Sequence, residues 1–156
     1  MLALLALSLA AAAPEPAPQP RVPALCGMPI IIYFDNGSSA LSDHGRAVLD
    51  IGSLAPRNAF ALATRVRIEA HSDTVGSRAR NLSLSRRRAM TVRDYLVRSG
   101  VAPNLIDIEP RGESHPMVPT PDEISEPSNR YVQVFEQLSQ ENLAARKAAQ
   151  EEGVVC

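Results

Sequence analysis

Aromatic side chains are scarce in this 156-residue sequence: three tyrosines, three phenylalanines and no tryptophan, 4% of the whole. Single-stranded nucleic acid is held largely by bases stacked on such rings, and this supply is too small for a stacking surface. Positive charge is not in excess either. The formal net charge of −1 removes the electrostatic case for a partner such as nucleic acid or an anionic membrane. Histidine occurs three times, as His44, His71 and His115, without the spacing of a metal site. There is no Gly-x-Ser-x-Gly, and the two cysteines, Cys26 and Cys156, lie in the tails, away from any core. His71, Ser72 and Asp73 are adjacent, but neighbours on a strand point to opposite faces and do not form a nucleophile–base pair. Neither catalysis nor a cofactor nor a bound metal is expected.

Long apolar runs are also missing. The longest, "MLALLALSLAAAA", falls short of the roughly 20 residues that a membrane-spanning helix needs. An apolar stretch ending in Ala-x-Ala reads instead as a secretory signal peptide over residues 1–13, cleaved after Ala13, although no Lys or Arg precedes it. Residues 14–27 form a linker with proline at positions 14, 16, 18, 20 and 23, an extended spacer without a core. Export makes the cysteine count meaningful: Cys26 and Cys156 flank the domain, and they fit either a disulfide tying its ends or two free thiols. "PALC" places Leu25 directly before Cys26, which departs from the Leu-x-small-Cys pattern of a lipidated cysteine.

What is present is the alternation of strand and helix signals over 28–137. "MPIIIYF" predicts a buried strand ended by the turn "DNGSS". A helix follows with Ser42 as N-cap, an apolar stripe of Ala47, Val48, Ile51, Leu54 and Ala55, and Pro56 as its stop. "TRVRIEAHS" alternates, with Val66, Ile68 and Ala70 on one face and Arg65, Arg67, Glu69 and His71 on the other. After the turn "SDTVG", a second helix carries Leu82, Ser85, Ala89, Val92 and Leu96, and ends at Gly100. "NLIDIEP" and "RYVQVFEQ" predict two more strands, separated by a loop over 111–129 that holds four prolines. The tail, 138–156, favours helix by propensity. This order predicts an α+β two-layer sandwich, β-α-β-α-β-β, with helices packed on a mixed sheet.

The chemistry gathers in "HSDTVGSRARNLSLSRRRA". Asp73 ends the second strand, where α/β layouts place ligands beside a helix N-terminus. Arg88 follows fifteen positions later and directly precedes the stripe residue Ala89, which sets its guanidinium near the sheet edge. Arg78, Arg80, Arg86 and Arg87 read as a solvated face. Taken alone, Asp73 and Arg88 are no more than an ion pair, worth under about 1 kcal/mol if exposed.

The wider spacing adds to this. Tyr33-Phe34-Asp35 in the first strand, Ala70-His71-Ser72-Asp73-x-x-Gly76, Asn81-x-x-Leu84-Ser85-x-x-Arg88-Ala89, Gly112-Glu113-x-x-Pro116 and Asn129-Arg130 follow one another in order. Together they resemble the OmpA-like C-terminal domain, over residues 28–136. The resemblance implies a periplasmic module that binds peptidoglycan without a covalent bond, near the outer membrane, gripping the diaminopimelate of the peptide stem. It implies Asp73 as acceptor for the ligand's ammonium and Arg88 as the planar fork for its carboxylate. Backbone N–H groups around Thr74 and Val75 complete the carboxylate's bonds, Asn81 braces the turn, and Arg130 lines the same pocket. Two positions depart from the pattern: Pro110 replaces a glycine, stiffening the loop beside the site, and Tyr131 replaces a second arginine. Another envelope protein is a further candidate partner through the linker or the tail. The alternative reading is an envelope protein–protein interaction module in which the Asp73–Arg88 pair is only structural.

Overall fold

The computed structural model describes residues 29–54 and 63–151. The expected signal peptide and linker, Ala55, Pro56, Cys26 and Cys156 lie outside them. The first strand, β1 (Ile30–Tyr33), leads into α1 (Asp43–Leu54), then β2 (Ala63–His71) and the long α2 (Arg78–Arg98). After a 3-10 turn at Pro103–Leu105 come β3 (Ile106–Gly112), a long loop, β4 (Tyr131–Leu138) and α3 (Gln140–Glu151). This is the predicted order of elements.

The four strands form one mixed sheet in the order β1-β4-β2-β3. β2 and β3 are parallel, joined by α2, while β4 runs antiparallel to both β1 and β2. The last strand is thus inserted between the first two, splitting the β1-α1-β2 unit. Ile32, Val66, Ile68, Ala70, Val132 and Val134 point from the sheet into the core, where they meet Leu49 of α1 and Ala89, Val92 and Leu96 of α2. The opposite face carries charge: Arg67 and Arg111 pair with Glu69 and Glu109, and the Arg67 guanidinium lies 4.3 Å from the Phe135 ring centroid. The alternation of "TRVRIEAH" therefore separates a dry face from a solvated lattice of ion pairs.

Local chemistry accounts for the helix ends. Ser42 caps α1, its Oγ accepting from the Gly45 N–H at 3.0 Å. Ser77 does the same for α2, accepting from Arg80 N–H. At the other end of α2, Gly100 adopts φ +99° and donates to Val97 O, while Val101 donates to Leu96 O. That is a Schellman closure, with Val101 buried against the core as the motif requires.

The predicted stripe on α2 holds except at Leu82, and the one on α1 is out of phase at Ala47. On α2, Leu82 is 47% exposed, whereas Leu84, Ser85 and Arg88 are buried with Ala89, Val92 and Leu96. On α1, Ala47 is exposed, and Gly45 and Leu49 take the buried positions beside Val48. On α2 the polar residues Asn81 and Arg88 share the packed face with Ser85, Ala89, Val92 and Leu96, and on α1 Gly45 shares it with Leu49. Gly45 is forced small: a Cβ there would come within 3.0 Å of Ile32. Pro110 also has a different setting from the one expected, since it lies within edge strand β3 and pairs with Ala70, just before a register shift. An edge strand at an irregularity is where a sheet tolerates a residue without an N–H.

Candidate functional site

The C-terminal end of β2 delivers Asp73 into the angle between β4, α2 and the loop after β3. Asp73 as a residue is 3% exposed. One oxygen, Oδ2, accepts from Arg130 Nη1 at 3.1 Å and from Ser125 Oγ at 3.3 Å, and Arg130 Nη1 also donates to Ser125 Oγ at 3.1 Å. No described residue bonds the other oxygen. Arg130 is held in place by its Nε–H, which donates to Phe34 O at 3.1 Å. The expected proximity of Asp73 and Arg130 is therefore met by a direct, nearly buried ion pair.

Arg88 is placed more deeply than expected. It lies on the packed stripe of α2 itself and is 0% exposed. Its Nε donates to Ser38 O at 2.8 Å, Nη1 to His71 O at 2.8 Å and Nη2 to Asp35 O at 3.0 Å. Three of five N–H groups are thus committed to backbone carbonyls, and one remains on each terminal nitrogen. The Phe34 ring lies 5.2 Å from the guanidinium carbon. Burial pushes the Arg88 pKa down to about 10, against the pull of the Asp73 charge and with that of Arg130. The group remains a cation at neutral pH. Asp73 and Arg88 have no direct hydrogen bond; they share a site through charge and through the β2 backbone.

The loop over 120–125 folds across the turn after Asp73. Thr74 Oγ1 donates to Pro121 O at 2.8 Å, and Glu123 N–H donates to Thr74 O at 3.0 Å. Glu123 Oε2 accepts from Gly76 N–H at 3.1 Å. One of the turn's N–H groups is consequently taken by a carboxylate of the chain itself; Val75 is half-buried beside it. Asn81 braces a different segment from the one expected. Its Nδ2 donates to Glu113 Oε2 at 2.7 Å, at the start of the loop, and Arg78 grips the other Glu113 oxygen at 3.0 Å. Sequence reasoning missed Ser125 and Glu123, which stand about 50 residues from Asp73 in a loop without periodicity. Only long-range folding brings them together.

Close packing sets the rear wall. Gly112, at φ +58°, passes so near α2 that a Cβ would stand 3.2 Å from Leu82 N. Its N–H donates to Ser85 Oγ at 3.0 Å, and its carbonyl accepts from Ser72 N–H at 2.8 Å. His71 and Tyr131 stack, with centroids 4.3 Å apart and planes 13° from parallel. Tyr131 thereby takes up the position of the missing second arginine as a prop: its hydroxyl donates to His115 O at 3.2 Å, and His71 Nδ1 donates to Ser114 O at 3.0 Å. Both rings hold the loop that covers Asp73.

His71 Nε2 is buried without a hydrogen-bond partner among the described residues. Burial lowers the His71 pKa below its usual value of 6.5, the bond to Ser114 O partly opposes this, and Arg111 and His115 add to it. The unfolded chain takes up a proton near pH 6.5, while the folded chain stays neutral to lower pH. Stability should therefore be lost as pH falls from about 6.5 towards the folded pKa, by up to about 1.4 kcal/mol per pH unit. Urea denaturation of wild type and His71→Gln at pH 7 and pH 5.5 checks this. The variant should show the smaller acid loss, and equal losses would contradict the assignment to His71.

Comparison with known proteins shows the family of the chain. The sequence model of the OmpA family matches residues 33–130. An outer membrane protein of Gluconacetobacter diazotrophicus is 33% identical over 111 residues, 67% of this chain and 29% of that protein. A peptidoglycan-associated lipoprotein of Pseudomonas putida is 34% identical over 102 residues, 65% of this chain and 60% of that protein. The chain thus spans less than two thirds of the length of these relatives. The crystal structure of the peptidoglycan-associated lipoprotein from Burkholderia pseudomallei superposes with a TM-score of 0.60 at 26% identity, covering 69% of this chain and 89% of that one.

Proposed function

Because the chain belongs to the OmpA family, we propose that it binds peptidoglycan without a covalent bond and serves as an anchor to the cell wall in the periplasm. The ligand group is the free end of diaminopimelate, which carries an ammonium and a carboxylate on one carbon. One observation carries the reading: the nearly buried site holds two guanidinium groups and one carboxylate, Arg88, Arg130 and Asp73. Such a set offers a partner for each sign of charge, and buried charge is costly unless it is paired. A zwitterion with its carboxylate towards the arginines and its ammonium towards Asp73 satisfies both signs.

In this reading the ammonium donates to the oxygen of Asp73 that no described residue uses. The carboxylate meets the N–H left on each terminal nitrogen of Arg88, with Arg130 at its side. Arg88 is fully enclosed, so Ser125 and the loop carrying it move off Asp73 when the ligand enters. Thr74 and Val75 border that entry, and Asn81 secures the loop's root through Glu113. Each single contact is weak, and the repeating wall supplies avidity. The names and cell-wall association of the Pseudomonas and Burkholderia relatives support the reading. Among the described residues no helix is long and apolar enough to cross a membrane.

Sedimentation with isolated cell wall tests the proposal. The purified protein should pellet with wall whose stem carries diaminopimelate and stay in solution with wall whose stem carries lysine, which lacks the zwitterionic end. Equal retention on both walls overturns the diaminopimelate assignment. Retention on neither overturns the function.

A further inference from the structure

Arg130 also borders a groove of about 430 Å³, together with Tyr33, Asp35, His44, Pro127 and Ser128. Its volume falls within the roughly 300–1,000 Å³ usual for small-ligand sites. Tyr33 ends β1 and is 48% exposed, a large ring left in solvent beside the site. Its hydroxyl donates to Met117 Sδ at 3.8 Å. Asp35 faces the groove with no bond to its carboxylate from any described residue, while its backbone carbonyl is pinned by Arg88. The groove is therefore built on the same backbone, Phe34 and Asp35, that Arg130 and Arg88 clamp.

From this we infer that the groove is a second subsite of the same ligand and takes a sugar of the glycan strand. The inference rests on the peptidoglycan reading above. A pyranose ring has an apolar C–H face and a rim of hydroxyls. An exposed tyrosine ring suits the first, and the Asp35 carboxylate with the Ser128 hydroxyl suits the second. A neutral ligand is also the one the charges favour. Arg130 is already bonded to Phe34 O, Asp73 and Ser125, so the free carboxylate of Asp35 would repel an acidic stem residue placed there. The reach is adequate. Two stem residues lie between the diaminopimelate and the sugar, so three residue steps, roughly 10 Å when extended, and the diaminopimelate side chain beyond them link an end held at Asp73 to a groove that shares Arg130 with it.

Calorimetric titration of the full chain with two soluble ligands tests this: the stem tripeptide ending in diaminopimelate, and the same tripeptide attached to its disaccharide. The disaccharide should tighten binding about five- to tenfold. Tyr33→Ala should remove that gain while leaving tripeptide affinity unchanged, and Tyr33→Phe, which keeps the ring, should retain it. If the tripeptide binds and the disaccharide adds nothing, the subsite is wrong and the diaminopimelate reading stands. A gain that survives Tyr33→Ala also overturns the subsite. If neither ligand binds, the underlying reading fails and takes the subsite with it.

Discussion

Replacing Arg88 with lysine should lower the unfolding free energy by about 2–4 kcal/mol and also abolish retention on diaminopimelate-type wall. Ser38, His71 and Asp35 each give a backbone carbonyl to a different nitrogen of the guanidinium. An ammonium is a single point with three donors and does not reach three acceptors arranged around a plane. Carbonyls left without partners in a dry site cost about 1–3 kcal/mol each. The two remaining N–H groups, which the proposed carboxylate would use, disappear with the fork. Urea denaturation and wall sedimentation on the same preparation separate the two roles. A variant that is destabilised yet still pellets in full would make Arg88 a structural clamp only, as in the alternative reading of an interaction module.

Asp73→Asn should act in the opposite proportion, with a large effect on binding and a smaller one on the fold. Asparagine keeps an oxygen for Arg130 and Ser125 in the same place, so the hydrogen bonds at Oδ2 have a successor. The charge is lost, and with it the charge-assisted bond to the ligand's ammonium, a loss of about ten- to a hundredfold in affinity. The same change removes the anion that offsets desolvation of Arg88, so the arginine's pKa should fall further below about 10. Titration with the soluble tripeptide measures the affinity. Wild-type affinity in this variant would remove Asp73 from the site. Together with Arg88→Lys, the pair distinguishes a carboxylate that binds from a guanidinium that both binds and builds.

Much of the architecture was legible because its causes are local. Ser42 and Gly100 mark helix ends through bonds to residues at most five positions away. The alternation in "TRVRIEAH" reports one dry and one charged face. The aliphatic stripes were less reliable. Leu82 sits where the spacing suggests packing, yet it faces solvent, because the helix turns Leu84, Ser85 and Arg88 inward to meet Gly112 and the 35–38 turn. A polar residue on a buried face is invisible to a pattern of apolar ones.

By itself, the sequence determined the succession of strands and helices, a consequence of short-range spacing and side-chain chemistry, while Asp73 and Arg88 were nominated by the resemblance of the wider motif pattern. Tertiary structure alone decided the rest. It set β4 between β1 and β2, and it thereby brought Arg130 to Asp73 across 57 positions. It buried Arg88 under three carbonyls from two separate segments, and it laid Glu123 and Ser125 across the turn. The physical reason is the same in each case. Which strand edge or buried acceptor a group meets depends on how distant segments close the core, and neighbouring residues carry no record of that choice.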